Sequence, residues 1–171
     1  MRGSSFDDVL RGDEFDNDLS GGPYCCQEDA DRISGRAGND DLEGLDGTDV
    51  LRGGDGDDRV YGDSSESGAR DRLYGGDGND LIIGDNSEEP GKSDVLDGGN
   101  GDDILWGDNN FAFDLYPGGA GDTLMGGPGN DVINAQEGDD FLDGGDDSDE
   151  LDGGPGTDAC TNGETLSNCE S

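Results

Sequence analysis

The residues able to do chemistry in this chain are carboxylates, and they recur on a fixed count. Asp40, Asp49, Asp58, Asp71, Asp80, Asp94, Asp103, Asp122, Asp131, Asp140, Asp149 and Asp158 each stand two places before an apolar residue or a cysteine. Successive members are nine residues apart, or nine plus a short insertion. Glycines crowd the turns ahead of them, as in GGDGNDLIIGD at residues 75–85. Oxygen is the ligand atom such a chain offers in quantity, because its 171 residues include 45 Asp plus Glu, four Cys and no His. Without His, most catalytic triads and the common zinc sites are excluded. Spaced carboxylates of this kind suit hard cations.

The elements that position them follow from the period. Written as G-G-x-G-x-D-x-U-x, with U apolar, units begin at residues 3, 12, 21, 35, 44, 53, 62, 75, 84, 98, 107, 126, 135, 144, 153 and 162. Four insertions, in units three, seven, nine and eleven, complete a tiling of residues 3–170. Position six is Asp in fourteen units, Asn17 in the second and Ser167 in the last. Position eight is apolar or Cys throughout, with Cys160 and Cys169 in the final two units. Glycine supplies turn conformations that other residues resist. D-x-U-x is a short strand with one side chain turned inward. Two turns and two strands make an 18-residue coil. The spacing therefore predicts an all-β solenoid of about eight such coils, a single domain over 1–171 whose repeats fill 3–161 and whose unit 162–171 is a cap.

Stacking places aspartates at the ~4.8 Å strand spacing along each edge, where they repel one another unless cations sit between them. Calcium accepts about six to eight hard oxygen ligands in flexible geometry, whereas magnesium demands tighter octahedral sites. Consecutive units fall on opposite edges. The edge of even units runs without insertions from unit four onward and carries Asp40, Asp58, Asp80, Asp103, Asp131 and Asp149. Six rungs leave room for about five calcium ions. The odd edge carries Asp49, Asp71, Asp94, Asp122, Asp140 and Asp158, all four insertions, and extra carboxylates at Asp63, Asp85 and Asp108. Those extra groups either rebuild calcium sites in longer turns or belong to solvated loops.

The segments GGDGDDRVY (53–61), GGDGNDLII (75–83), GGNGDDILW (98–106) and GGPGNDVIN (126–134) resemble the RTX, or hemolysin-type, calcium-binding nonapeptide. The resemblance covers nearly the whole chain. It implies a right-handed parallel β-roll with calcium in the turns between neighbouring coils. The position-six aspartates would be ligands together with turn carbonyls, as at Gly53, Gly75, Gly98, Gly126 and Gly144. Many members of that family are C-terminal parts of exported bacterial toxins, proteases, lipases or adhesins. A secreted, non-enzymatic module that folds on calcium is therefore expected. The alternatives are the noncatalytic tail of an exported enzyme or toxin, or an adhesive module that uses the insertion edge.

The formal charge of −36 with 27% hydrophobic residues is otherwise the profile of a disordered polyanion. It disfavours nucleic acid and anionic membrane surfaces as partners. No apolar stretch approaches ~20 residues. Met-Arg-Gly-Ser-Ser leads into acidic sequence without a signal core, so the expectation is either an export signal elsewhere or a piece of a longer chain. No stretch fits the D-x-[DN]-x-[DN]-G helix–loop–helix calcium site, and no pair of acids is set apart for glycoside hydrolysis. Cys160 and Cys169, on the last two units, are expected to form a disulfide. Adjacent Cys25 and Cys26 leave a vicinal bridge, an intermolecular bridge and free thiols all open. The outward positions of the even strands gather Tyr61, Leu81, Ile83, Ile104, Trp106 and Val132 into an apolar patch. Either Phe111, Phe113, Leu115 or Tyr116 of the FAFDLYP insertion covers it, or it is a protein-binding surface.

Overall fold

The computed structural model describes residues 1–22, 30–63, 69–85, 92–108 and 120–169. Its strands alternate between two parallel eight-stranded sheets. Sheet one stacks β1 (Val9–Arg11), β3 (Arg32–Ala37), β5 (Val50–Asp55), β7 (Arg72–Asp77), β9 (Val95–Asn100), β11 (Thr123–Pro128), β13 (Phe141–Asp146) and β15 (Ala159–Thr161). Sheet two stacks β2 (Asp18–Ser20), β4 (Asp41–Glu43), β6 (Arg59–Asp63), β8 (Leu81–Asp85), β10 (Ile104–Asp108), β12 (Val132–Asn134), β14 (Glu150–Asp152) and β16 (Thr165–Ser167). This is the expected parallel β-roll. Of the eight expected coils, the six from β3 to β14 carry six-residue strands in sheet one, and the coil at each end is reduced to three-residue strands. No helix among the described residues is long and apolar enough to cross a membrane.

Position eight sets the register. In sheet one, Leu10, Ile33, Leu51, Leu73, Leu96, Leu124 and Leu142 lie directly opposite one another, ending on Cys160. In sheet two the column is Leu19, Leu42, Val60, Ile82, Leu105, Ile133, Leu151 and Leu166. The two columns face each other and form one thin core, buried from Leu10 through Leu151. A one-residue slip would turn each column out to solvent, so the register is strongly specified. Leu45, at a turn position, is also buried, with φ of 81°.

The last unit departs from the tiling. Leu166, rather than Cys169, takes the place opposite Leu151, and Glu164 rather than Ser167 takes the position-six place. The unit is shortened by three residues relative to the count, and its strand begins earlier. Cys169 therefore lies beyond β16, and it is bonded to Cys160 with their Cα atoms 5.7 Å apart. The expected disulfide is present, reached by a tighter final turn than the repeat count implies.

Candidate metal centre

Beyond the first coil, each position-six aspartate uses one oxygen to hold the stack together. On the regular edge Oδ1 of Asp40, Asp58, Asp80, Asp103, Asp131 and Asp149 accepts a hydrogen bond from the backbone N–H of the equivalent residue one coil earlier, at 2.7–2.9 Å. The series starts at the N–H of Asn17 and ends where Glu164 Oε2 accepts from Asp149 at 2.8 Å. A glutamate succeeds there because its extra methylene reaches back across a shortened turn. The insertion edge repeats the pattern through Asp31, Asp49, Asp71, Asp94, Asp122, Asp140 and Asp158 at 2.7–3.0 Å. All thirteen of these aspartates are buried, 3% exposed or less.

The second oxygen is placed differently. Oδ2 of Asp40, Asp58, Asp80, Asp103, Asp131 and Asp149, and of Asp140 on the other edge, is buried without a hydrogen-bond partner. Such an oxygen carries its full desolvation cost unless something positive meets it. Burial accordingly pushes the carboxyls of Asp58 and Asp103 up to about 7, and those of Asp80, Asp131 and Asp140 up to about 6. Asp40 and Asp149 are raised by the same cause. The ladder N–H bonds pull each of these values back down, while neighbouring aspartates raise them further.

Glycine at position one keeps room beside that oxygen. A Cβ on Gly53, Gly75, Gly98, Gly126 or Gly144 would collide with Oδ2 of Asp58, Asp80, Asp103, Asp131 or Asp149. The second and fourth positions of the same turns need φ of 105–150° at Gly54, Gly56, Gly76, Gly78, Gly99, Gly101, Gly127 and Gly129. An outer, solvent-exposed ladder runs alongside through position five. There Asp16, Asn39, Asp57, Asn79, Asp102 and Asn130 alternate, each Oδ1 accepting from the next backbone N–H at 2.8–3.3 Å. Alternation of Asp and Asn keeps two exposed charges from facing each other on adjacent rungs. Both N–H groups of Asn130 that reach Asp102 hold its carboxyl below the usual range.

The first coil is built differently. Asn17 Oδ1 accepts from the N–H of Asp13 at 3.1 Å, and Asp8 Oδ2 accepts from the Ser4 hydroxyl at 2.9 Å. These end groups are satisfied within their own turns. On the insertion edge, Asp63, Asp85 and Asp108 fall in one register column because β6, β8 and β10 run two residues longer than β4, β12 and β14. Asp108 is buried. Asp46 Oδ1, at position three of an insertion-free odd turn, is also buried without a hydrogen-bond partner. Neither Asp46 nor Glu164 stands at a place that the nonapeptide count marks. Only the length of the Glu164 side chain and its nearness to the cysteine cap hinted at its role.

Three expectations concern other places. Among the outward residues of sheet two, Ile104 and Val132 are 42% exposed, while Ile83 is buried in register between Tyr61 and Trp106. Phe111, Phe113, Leu115 and Tyr116 lie outside the described residues, as do Cys25 and Cys26. The segments left out at 23–29, 64–68, 86–91 and 109–119 all join a strand of sheet two to the next strand of sheet one, so their attachment points share one edge.

Parallel strands, glycine turns and a row of buried carboxylate oxygens define a β-roll of the calcium-binding type. The RTX calcium-binding nonapeptide repeat model matches residues 2–23, 28–51, 34–65, 67–87, 91–110, 116–151 and 125–160. The chain belongs to the RTX calcium-binding nonapeptide repeat family, and its repeats are calcium-binding repeats. No curated protein matches it.

Proposed function

We propose that this chain is a secreted, noncatalytic module whose β-roll is completed by calcium held along its aspartate edges. The observation that carries this is the row of orphaned Oδ2 atoms at Asp40, Asp58, Asp80, Asp103, Asp131 and Asp149. Carboxylates at this depth suit a hard divalent cation, which would neutralise neighbouring rungs and relieve their repulsion. Asp49, Asp71, Asp94, Asp122, Asp140 and Asp158, with Asp63, Asp85 and Asp108, are the candidate ligands of the insertion edge. Carbonyls of the turns at Gly53, Gly75, Gly98, Gly126 and Gly144 would complete the coordination, for about five ions on the regular edge. Export is supported by the family and by a disulfide, which suits an oxidising compartment. As a free-standing module or as the noncatalytic tail of an exported enzyme or toxin, the chain does the same calcium chemistry. With a charge of −36 and a core one residue deep, binding energy becomes folding energy. Calcium titration followed by circular dichroism is expected to show a cooperative gain of strand signal. A chain fully folded in excess chelator at neutral pH would refute the proposal.

A further inference from the structure

The one strongly basic surface among the described residues lies on the outward face of sheet one. All nine Lys and Arg precede Ser93, and four arginines occupy outward positions on the first four strands of that sheet. Arg11 stands opposite Ser34, which stands opposite Arg52; Arg32 stands opposite Val50, which stands opposite Arg72. The four alternate between two columns from one rung to the next, with no two of them directly opposed, and Arg36 adds a second guanidinium to the rung of β3. All four are exposed. Arg11, Arg32 and Arg52, with Arg36 beside them, border a shallow depression of about 300 Å³ floored in part by Val9 and Ser34. Arg52 is already held, with its guanidinium 4.7 Å from the centre of the Tyr74 ring.

We propose that this face binds an extended acidic polysaccharide that runs along the rod and meets Arg11, Arg32, Arg52 and Arg72 in turn. The guanidiniums advance ~4.8 Å per rung and alternate sides across ~6.6 Å, the span of two strand residues. A β-1,4-linked uronate chain in its extended two-fold form also turns successive carboxylates to opposite sides, with an advance per sugar on the order of that strand spacing. An extended acidic peptide advances ~3.3 Å per residue and falls out of step. The stripe is also narrow. The ladder of Asp31, Asp49 and Asp71 flanks one margin, and the turns bearing Asp40, Asp58 and Asp80 flank the other. A nucleic-acid duplex, with a charge every ~1.7 Å of axis, would overlie those acids. A single carbohydrate chain stays between them. Planar guanidiniums suit its carboxylates, because each can accept a bidentate pair.

The test titrates the full chain, folded in millimolar calcium at physiological salt, with β-1,4-glucuronate oligomers in a calorimeter. Cello-oligosaccharides of the same length are the uncharged counterpart. Saturable binding to the uronate and none to the neutral oligomer is expected. The double variant Arg32→Gln/Arg52→Gln is expected to weaken binding at least about tenfold with its circular dichroism unchanged. Absence of uronate binding overturns the proposal. So does affinity that survives the double change, since calcium bridging on the aspartate edges would then be responsible. Equal affinity for duplex DNA, or light scattering that shows self-association through this face, also overturns it.

Discussion

A position-six aspartate of the regular edge divides its work between two oxygens, and substitution can separate them. Asp80→Asn keeps an Oδ1 acceptor for the N–H of Asp58 but removes the charge at Oδ2. Calcium stoichiometry by equilibrium dialysis is expected to fall, and the folding midpoint to move to higher calcium. The same change at Asp158, on the reduced terminal coil, is expected to move the midpoint less, because fewer coils depend on it. Equal losses would contradict a stacked ladder. Protons compete for the same atoms. In the metal-free fold the carboxyls of Asp80, Asp131 and Asp140 sit at about 6 and those of Asp58 and Asp103 at about 7, above the ordinary 3.8. A raised folded-state value means that the fold binds protons more tightly than the unfolded chain does. Its stability without metal is therefore greatest at low pH and is lost as pH rises through about 6 to 7. In chelator, strand signal is expected at about pH 5 and to be lost by about pH 8. Calcium affinity is expected to weaken as pH falls through the same window. A metal-free circular dichroism spectrum that does not change between these two pH values would oppose this account.

At the level of the strand and its turn, depth in the stack decides cost. Leu105 is fully buried between Ile82 and Ile133, so Leu105→Ala is expected to lose about 2–5 kcal/mol in calcium-saturated denaturant titrations. Leu166 holds the same position at the open end and is 51% exposed, and its replacement is expected to cost under about 1 kcal/mol. Turn glycines separate into two kinds. Gly78→Ala is expected to lose about 1–3 kcal/mol through backbone strain, because its φ is 137°. Gly75 has no such φ, yet its Cβ would strike both Asp80 Oδ2 and the backbone carbonyl of Gly98 on the next coil, so Gly75→Ala is expected to lower calcium affinity and fold stability together. The register of the central strands was legible because inward leucines and turn aspartates carry the same period. The final unit was not, because it keeps a single glycine, so a count that fits by length missed Glu164 and Leu166. Leu45 was hidden for a related reason: a leucine at a turn position with positive φ reads as an outward residue. The arginine stripe lies in the variable seventh and ninth positions, which the repeat leaves unspecified.

At the scale of the whole molecule, the repeat specifies a rod but not its ends. Each sheet of a parallel stack finishes with a row of backbone N–H and C=O groups that another stack could extend. The two ends here differ. At the first coil the chain folds onto itself through the Arg2–Ser20 bridge and the satisfied turns of Asp8 and Asn17. At the last coil, Cys160 and Cys169 tie β15 of one sheet to the residues that follow β16 of the other. The disulfide thus crosses the face of the stack on which β15 and β16 are the last strands. Cys160→Ser/Cys169→Ser, or reduction in calcium, is expected to free that face for strand pairing with a second rod. Sedimentation velocity would then show end-to-end oligomers whose mass rises with protein concentration, while the oxidised rod stays at a single length.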